Sequence, residues 1–207
     1  MTAKEQLDTI KRIKAIAETG LVFAEGAYDK ERYEELRAIS LKLMAEIAEV
    51  PFEKLDSFYL PTLDYPTPKV DVRGFVLNEK DQILLAKESV DSKWTIPGGW
   101  ADIGNTPTEV AIREIKEETG LDAKIVRLLA IYDKQRHQHP AEPYYIYKLM
   151  FHCKVVGGEL EPGFDMLGAD WFSLDALPPL SEERILLTQL KQLYKMVKNN
   201  DLHVYTD

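Results

Sequence analysis

The sequence predicts an α/β protein of the α+β kind, with a mixed sheet sandwiched between helices and a small helical domain in front. Three observations predict it. Apolar residues recur at helical spacing from residue 3 to about residue 60; short apolar runs separated by turn signals follow from about residue 70; and one strongly capped helix, between Thr106 and Gly120, interrupts those runs. The change of pattern divides the chain into a helical domain over residues 1–66 and a second domain over residues 67–207.

In the first helix Leu7, Ile10, Ile13 and Ala17 share one side, and in the second Leu36, Ile39, Leu43, Ile47 and Val50 do so. "FEKLD" suggests a short turn after them. Two helices alone make a poor core, so their apolar faces must pack on the rest of the chain or on a second subunit, and a homodimer is expected. "LPTLDYPTP", Leu60 to Pro68, carries three prolines and suits an extended linker. Strands are expected at about 70–77, 82–87, 123–132 and 144–155, with turn signals such as "NEKD" and "GG" between them. A final helix is expected from Ser181, with Glu182 and Glu183 in its first turn and Leu186, Leu190, Leu193 and Val197 on its buried side. The chain has no internal repeat and no low-complexity tract.

Composition narrows the function classes. A chain of 207 residues, 45% of them hydrophobic, can bury a core. A formal charge of −9 and a pI near 5.1 argue against a broad electrostatic grip on nucleic acid. Neither a bilayer-spanning apolar run nor a signal-peptide core is present, and the single cysteine, Cys153, cannot form an internal disulfide, so a cytoplasmic protein is expected. Cys153 lies in an apolar run and reads as a small buried hydrophobe.

The interrupting helix carries the chemistry. Thr106, Pro107 and Glu109 form a start signal, and Gly120 is the natural stop. Ile112, Ile115 and Thr119 fall on one side, while Glu114, Glu117 and Glu118 converge on another. Carboxylates in the last turns of a helix are each unfavourable by roughly 0.3–1 kcal/mol, and repulsion between them adds a similar amount. A local rule broken several times in one turn marks a functional site, and an oxygen-bound divalent cation would turn the repulsion into attraction. The bland reading is a solvated acidic face. "WTIPGGWADIGNTPTE" shifts the balance, because Pro97, Gly98 and Gly99 make a tight loop in front of the helix where backbone can approach a ligand closely.

Loop and helix together resemble the signature of the Nudix hydrolases, G-x5-E-x7-R-E-U-x-E-E-x-G-U with U aliphatic: Gly99, Arg113, Glu114, Ile115, Glu117, Glu118, Gly120 and Leu121 all fit. The first glutamate of the signature is replaced by Asn105, which still accepts hydrogen bonds. "KVDVRGFVL" resembles the first strand of the Nudix domain and "GADWFSLDALPPLS" its late strand and loop. "IKRIKAIAETGLVFAEGAYDKERYEELRAIS" is similar to a helical extension of Nudix enzymes acting on nucleoside diphosphates linked to another group, a subgroup associated with dimers.

The resemblance implies a Nudix α/β/α sandwich and attack of water on a diphosphate linkage, assisted by Mg²⁺ or in its place Mn²⁺. Glu114, Glu117 and Glu118, with Gly98, are the implied metal site. Arg113 is expected to anchor them, aimed at Glu117 by helical geometry. The general base is a box glutamate or one of Glu159, Glu161 and Asp165, with Asp165 preferred for its place before "WFSLDALP"; Asp102 is a further acid able to act through a water. Trp94, Trp100, Tyr132, Tyr144 and Tyr147 offer aromatic surfaces, and the substrate-binding set is Arg73, Trp100, Tyr132, Arg136 and Tyr144. Arg73 suits a phosphate or an internal carboxylate, and "DKQRHQHP" a flexible, solvated loop able to meet anions. The expected substrate is a CDP-choline-like or UDP-linked compound, ahead of ADP-ribose. Non-catalytic nucleotide sensing and trimming of RNA ends are the rival readings.

Overall fold

A computed structural model describes residues 2–48, 66–102 and 104–207. The chain separates into two compact units, Met1–Pro68 with Ala141–Tyr145, and Lys69–Pro140 with Ile146–Asp207.

The first unit is built on helices α1 (Ala3–Phe23) and α2 (Ala27–Ala48). Thr2 caps α1 through a reciprocal box with Glu5. Leu7, Ile10 and Met44 form the buried cluster between the helices, with Ala45 and Ile47 packed against it. Among the described residues of α2, Ser40, Leu41 and Met44 are buried, whereas Ile39 and Leu43, expected inside, lie exposed. Val50 and "FEKLD" lie outside the described residues. Lys14 is buried and bridges to Glu18, to which Arg37 also turns its guanidinium.

In the second unit, β1 (Lys69–Val76), β4 (Gly98–Trp100), β5 (Leu121–Asp133), β6 (Ile146–Gly158) and β8 (Tyr205–Thr206) form one sheet in the order β4-β1-β6-β5-β8. It is mixed: β1 runs parallel to β6 and β5 parallel to β8, while the other pairings are antiparallel. A second, antiparallel sheet has the order β3-β2-β7, from Trp94–Thr95, Ile83–Glu88 and Met166–Phe172. Helix α3 (Pro107–Thr119) packs on one apolar cluster, with Val72, Val76, Leu84 and Phe151. Helix α4 (Leu187–Lys198) packs on the other, with Phe75, Leu85, Ile96 and Met150. Period-two alternation along β1 and β2 sends neighbours to opposite clusters, Phe75 and Val76 on β1 and Leu84 and Leu85 on β2, which is how helices come to cover both faces.

The final helix begins at Leu187, not at Ser181. Ser181 instead donates its hydroxyl to Asp91 and its N–H to the Trp94 carbonyl, which fixes residues 181–184 in a turn before the helix can start. Leu190, Leu193 and Met196 are its buried apolar residues. Cys153 is buried as expected, and burial pushes its thiol up to about 12.

Candidate active site

The site starts from Gly98, which sits in β4 opposite Arg73 with φ +150°. A Cβ there would lie 2.2 Å from the Val72 carbonyl oxygen, so only glycine lets this strand lie against β1. The Gly98 N–H donates to Glu118 Oε2 at 3.2 Å. Glu118 is delivered by α3, whose entry and exit follow the sequence signals. Thr106 is the N-cap in a capping box with Glu109, and Gly120 closes the helix in the left-handed region.

The three glutamates do not share one solvated face. Glu118 is only 6% exposed and turns inward beside Ile115 and Thr119, whereas Glu114 is half-buried and Glu117 exposed. Arg113 Nη2 lies 2.9 Å from Glu114 Oε1 and 3.1 Å from Asp102 Oδ2, while its Nε is 3.8 Å from Glu117 Oε2. The expected i, i+4 pairing is thus the longest of the three, because the adjacent carboxylate and the loop acid claim the planar end of the guanidinium. Asn105 lies exposed in the turn before the helix, its N–H on the Asp102 carbonyl.

Burial raises Glu118 to about 8, against the pull of Arg73. The charges of Glu88 and Glu114 push it the same way, and the Gly98 N–H opposes them. Glu88 is the group that sequence reasoning missed. It is buried at the end of β2, 2.7 Å from Arg184 Nε, and burial, Asp91 and Asp165 raise its carboxyl against Arg184 and Arg73. "LLAKESV" reads only as a strand running into a turn, and nothing local signals that the fold carries its glutamate toward Glu118.

Among the described residues, no group of three or more His, Cys, Asp or Glu side chains converges tightly enough to chelate an ion as it lies. The donor chemistry nonetheless fits a hard divalent cation: α3 carries three carboxylates, and one of them, Glu118, is buried against the Gly98 backbone N–H.

Arg73 is buried, with its Nε and Nη1 engaged internally. Its Nε lies 3.1 Å from Asp71 Oδ2, and Nη1 donates to the Ile96 carbonyl at 3.0 Å and to Thr95 Oγ1 at 3.3 Å. Of its two expected partners this structure gives it the internal carboxylate, so it does not stand open as a substrate contact. Asp71 also takes the Lys148 ammonium from β6, and the two cations outweigh burial to hold its carboxyl well below the usual range. Burial lowers Lys148 to about 8 in spite of Asp71.

The other expected substrate contacts scatter. Tyr132 is wholly buried in the cluster under α4, its hydroxyl donating to Gln192 Oε1 at 3.0 Å, so it is a core residue and not a ligand surface. Trp100 is exposed at the end of β4 with the Lys69 ammonium 5.4 Å from its ring centre. Arg136 is exposed at the end of a 3-10 turn, Lys134–Arg136. Tyr144 falls with the helical unit, where its carbonyl accepts from Lys11 Nζ at 3.1 Å. The "DKQRHQHP" segment is not a solvated loop, since Lys134 and His139 are buried. His139 Nδ1 lies 2.6 Å from the Glu182 carbonyl, and burial pushes the imidazole down to about 3, whereas His137 pairs with Asp207. Asp165 lies exposed in the turn before β7.

Residues 67–193 match the model of the NUDIX domain. The chain belongs to the Nudix family. Residues 4–59 of this Nudix hydrolase match a second model, described as a UDP-X-like, N-terminal oligomerisation domain. It is 33% identical to the crystal structure of a UDP-X diphosphatase, with a TM-score of 0.64 and coverage of 100% of both chains. It is 43% identical over 195 residues to YjhB of Bacillus subtilis, provisionally named an ADP-ribose pyrophosphatase, covering 94% of this chain and 93% of that one. An ADP-ribose pyrophosphatase structure from Streptococcus suis, 34% identical, covers 68% of this chain and 100% of its own with a TM-score of 0.62. The protein is therefore a Nudix pyrophosphohydrolase, and no helix among its described residues is long and apolar enough to cross a membrane.

Proposed function

We infer that this Nudix hydrolase cleaves the diphosphate linkage of a nucleoside diphosphate joined to a small group X, of the UDP-X or CDP-choline type. The products are a nucleoside monophosphate and phospho-X. The observation that carries this reading is the end-to-end likeness to a UDP-X diphosphatase, helical extension included. ADP-ribose is the second reading, supported by the name of a relative 43% identical to this chain.

Glu114, Glu117, Glu118 and Gly98 would hold Mg²⁺, or Mn²⁺ in its place. The ion, when bound, supplies positive charge against the diphosphate and acidifies nearby water. Arg113 keeps Glu114 and the Asp102 loop together, and Gly98 keeps Glu118 oriented. In hydrolysis the water oxygen forms a bond to one phosphorus, the bond from that phosphorus to the bridging oxygen breaks, and the water proton passes to a carboxylate. Asp165 is assigned that proton; it is exposed, and its charge already bears on Glu88. The domain over residues 1–66 serves dimerisation, for which the exposed Ile16, Phe23, Ile39 and Leu43 supply apolar surface.

The test is release of nucleoside monophosphate from UDP-linked sugars, CDP-choline and ADP-ribose, with Mg²⁺ and with chelator. Glu117→Gln and Glu118→Gln should each lower kcat by about 10²-fold or more, beyond the 10–100-fold typical for disturbing an outer partner of a metal ligand. Fastest turnover of ADP-ribose would favour the second reading, and no Mg²⁺-dependent turnover of any compound would defeat both.

A further inference from the structure

Phe164 is an aromatic side chain left completely exposed. It and Asp165 are the two corner residues of a turn closed by the Met166 N–H on the Gly163 carbonyl, 3.0 Å. That turn is fastened to the helix bearing the carboxylates: the Gly163 N–H donates to the Glu118 carbonyl at 3.2 Å, and two residues earlier the Glu161 N–H donates to the Thr119 carbonyl at 3.0 Å. The approach is close enough that a Cβ on Gly163 would lie 2.0 Å from the Glu117 carbonyl oxygen. On its other side the turn runs into β7, where Met166 pairs with Glu88. Phe164 therefore stands one residue from a backbone contact with Glu117 and Glu118 and two residues before the partner of Glu88.

An exposed phenyl ring is unfavourable in water, and a short pinned turn gives it few conformations to lose on binding. The moiety of a nucleotide that matches such a surface is the nucleobase, whose flat face stacks on an aromatic ring without needing a hydrogen-bond pattern. The phosphates offer no apolar face, and a sugar or choline X group, which an aromatic ring can also meet, is told apart by the response to nucleoside monophosphates that lack X. We propose that Phe164 is the stacking platform for the nucleobase of the substrate, held at fixed distance from the carboxylate helix by the Gly163–Glu118 backbone bond. The assignment rests on the nucleoside-diphosphate reading above. It deepens that reading by giving binding of the base to a single residue that does not depend on which base it is.

Phe164→Ala changes an exposed residue, so the fold should be kept. KM for the preferred nucleotide substrate should rise about tenfold or more, the size of one lost aromatic–base stack, with kcat nearly unchanged. Phe164→Trp should restore KM. Its added fluorescence, after subtraction of the parent protein, should be quenched by UMP, CMP and AMP but not by ribose 5-phosphate. Equal quenching by ribose 5-phosphate, an unaltered KM in Phe164→Ala, or turnover without quenching would each overturn the proposal while leaving the hydrolase reading intact. A smaller assembly for Phe164→Ala, by light scattering, would overturn it in favour of a contact between copies. If no nucleotide-linked diphosphate is turned over and no nucleotide quenches, the nucleoside reading itself fails and the platform with it.

Discussion

Glu118 shows how one residue can serve two incompatible demands. Its backbone completes an amphipathic helix and its side chain enters a space where a carboxylate is disfavoured as an anion. In metal-free protein it keeps its proton to about pH 8, whereas a glutamate in the unfolded chain loses it near 4.5. The folded state thus holds the extra proton between those values, and stability falls as pH rises from about 4.5 to about 8. Glu118→Gln retains an acceptor for the Gly98 N–H and has no proton to lose. Denaturant midpoints in the presence of chelator should therefore drop between pH 5 and pH 8 more in the parent protein than in the variant. Equal slopes would show that Glu118 ionises freely in the fold. None of this is visible in "REIKEETG", where the three glutamates look alike; what separates them is the approach of Gly98, Arg73 and Glu88 from other strands.

At the level of elements, legibility followed the range of the interactions. Helix α3 could be read directly because its signals are local: a threonine cap with its reciprocal glutamate, a proline in the first turn, a glycine at the end. Replacing Thr106 by alanine should cost about 1 kcal/mol, as loss of an N-cap does, and lower the urea midpoint without abolishing activity. An unchanged midpoint would mean that tertiary packing alone fixes the start of the helix. The last helix misled because Ser181, Glu182 and Glu183 have the composition of a helix start, yet Ser181 is committed to Asp91, ninety positions away, with a hydrogen bond of 2.7 Å. Helix α4 is opened instead by Gln189, whose side chain accepts from the Leu186 N–H at 3.1 Å. Likewise Asp71 and Lys148 meet only because β1 lies parallel to β6, a pairing that neither segment announces.

For the whole molecule, two sheets and two helices account for the second unit, while the described residues of the first unit bury few apolar side chains. Among its described residues the buried apolar ones are Leu7, Ile10, Ala17, Leu41 and Met44, and larger side chains such as Phe23 and Tyr28 are exposed. If a second copy covers the helices, Leu43→Asp with Ile39→Asp should halve the mass measured by light scattering at micromolar concentration. A parent protein already monomeric under those conditions would refute the expectation. The exposed apolar side chains on the described helices carry a further implication for handling the enzyme. If a second copy completes the helical unit, mass action stabilises the pair, so the temperature at which it melts should climb as the solution is concentrated, and dilution alone should loosen it.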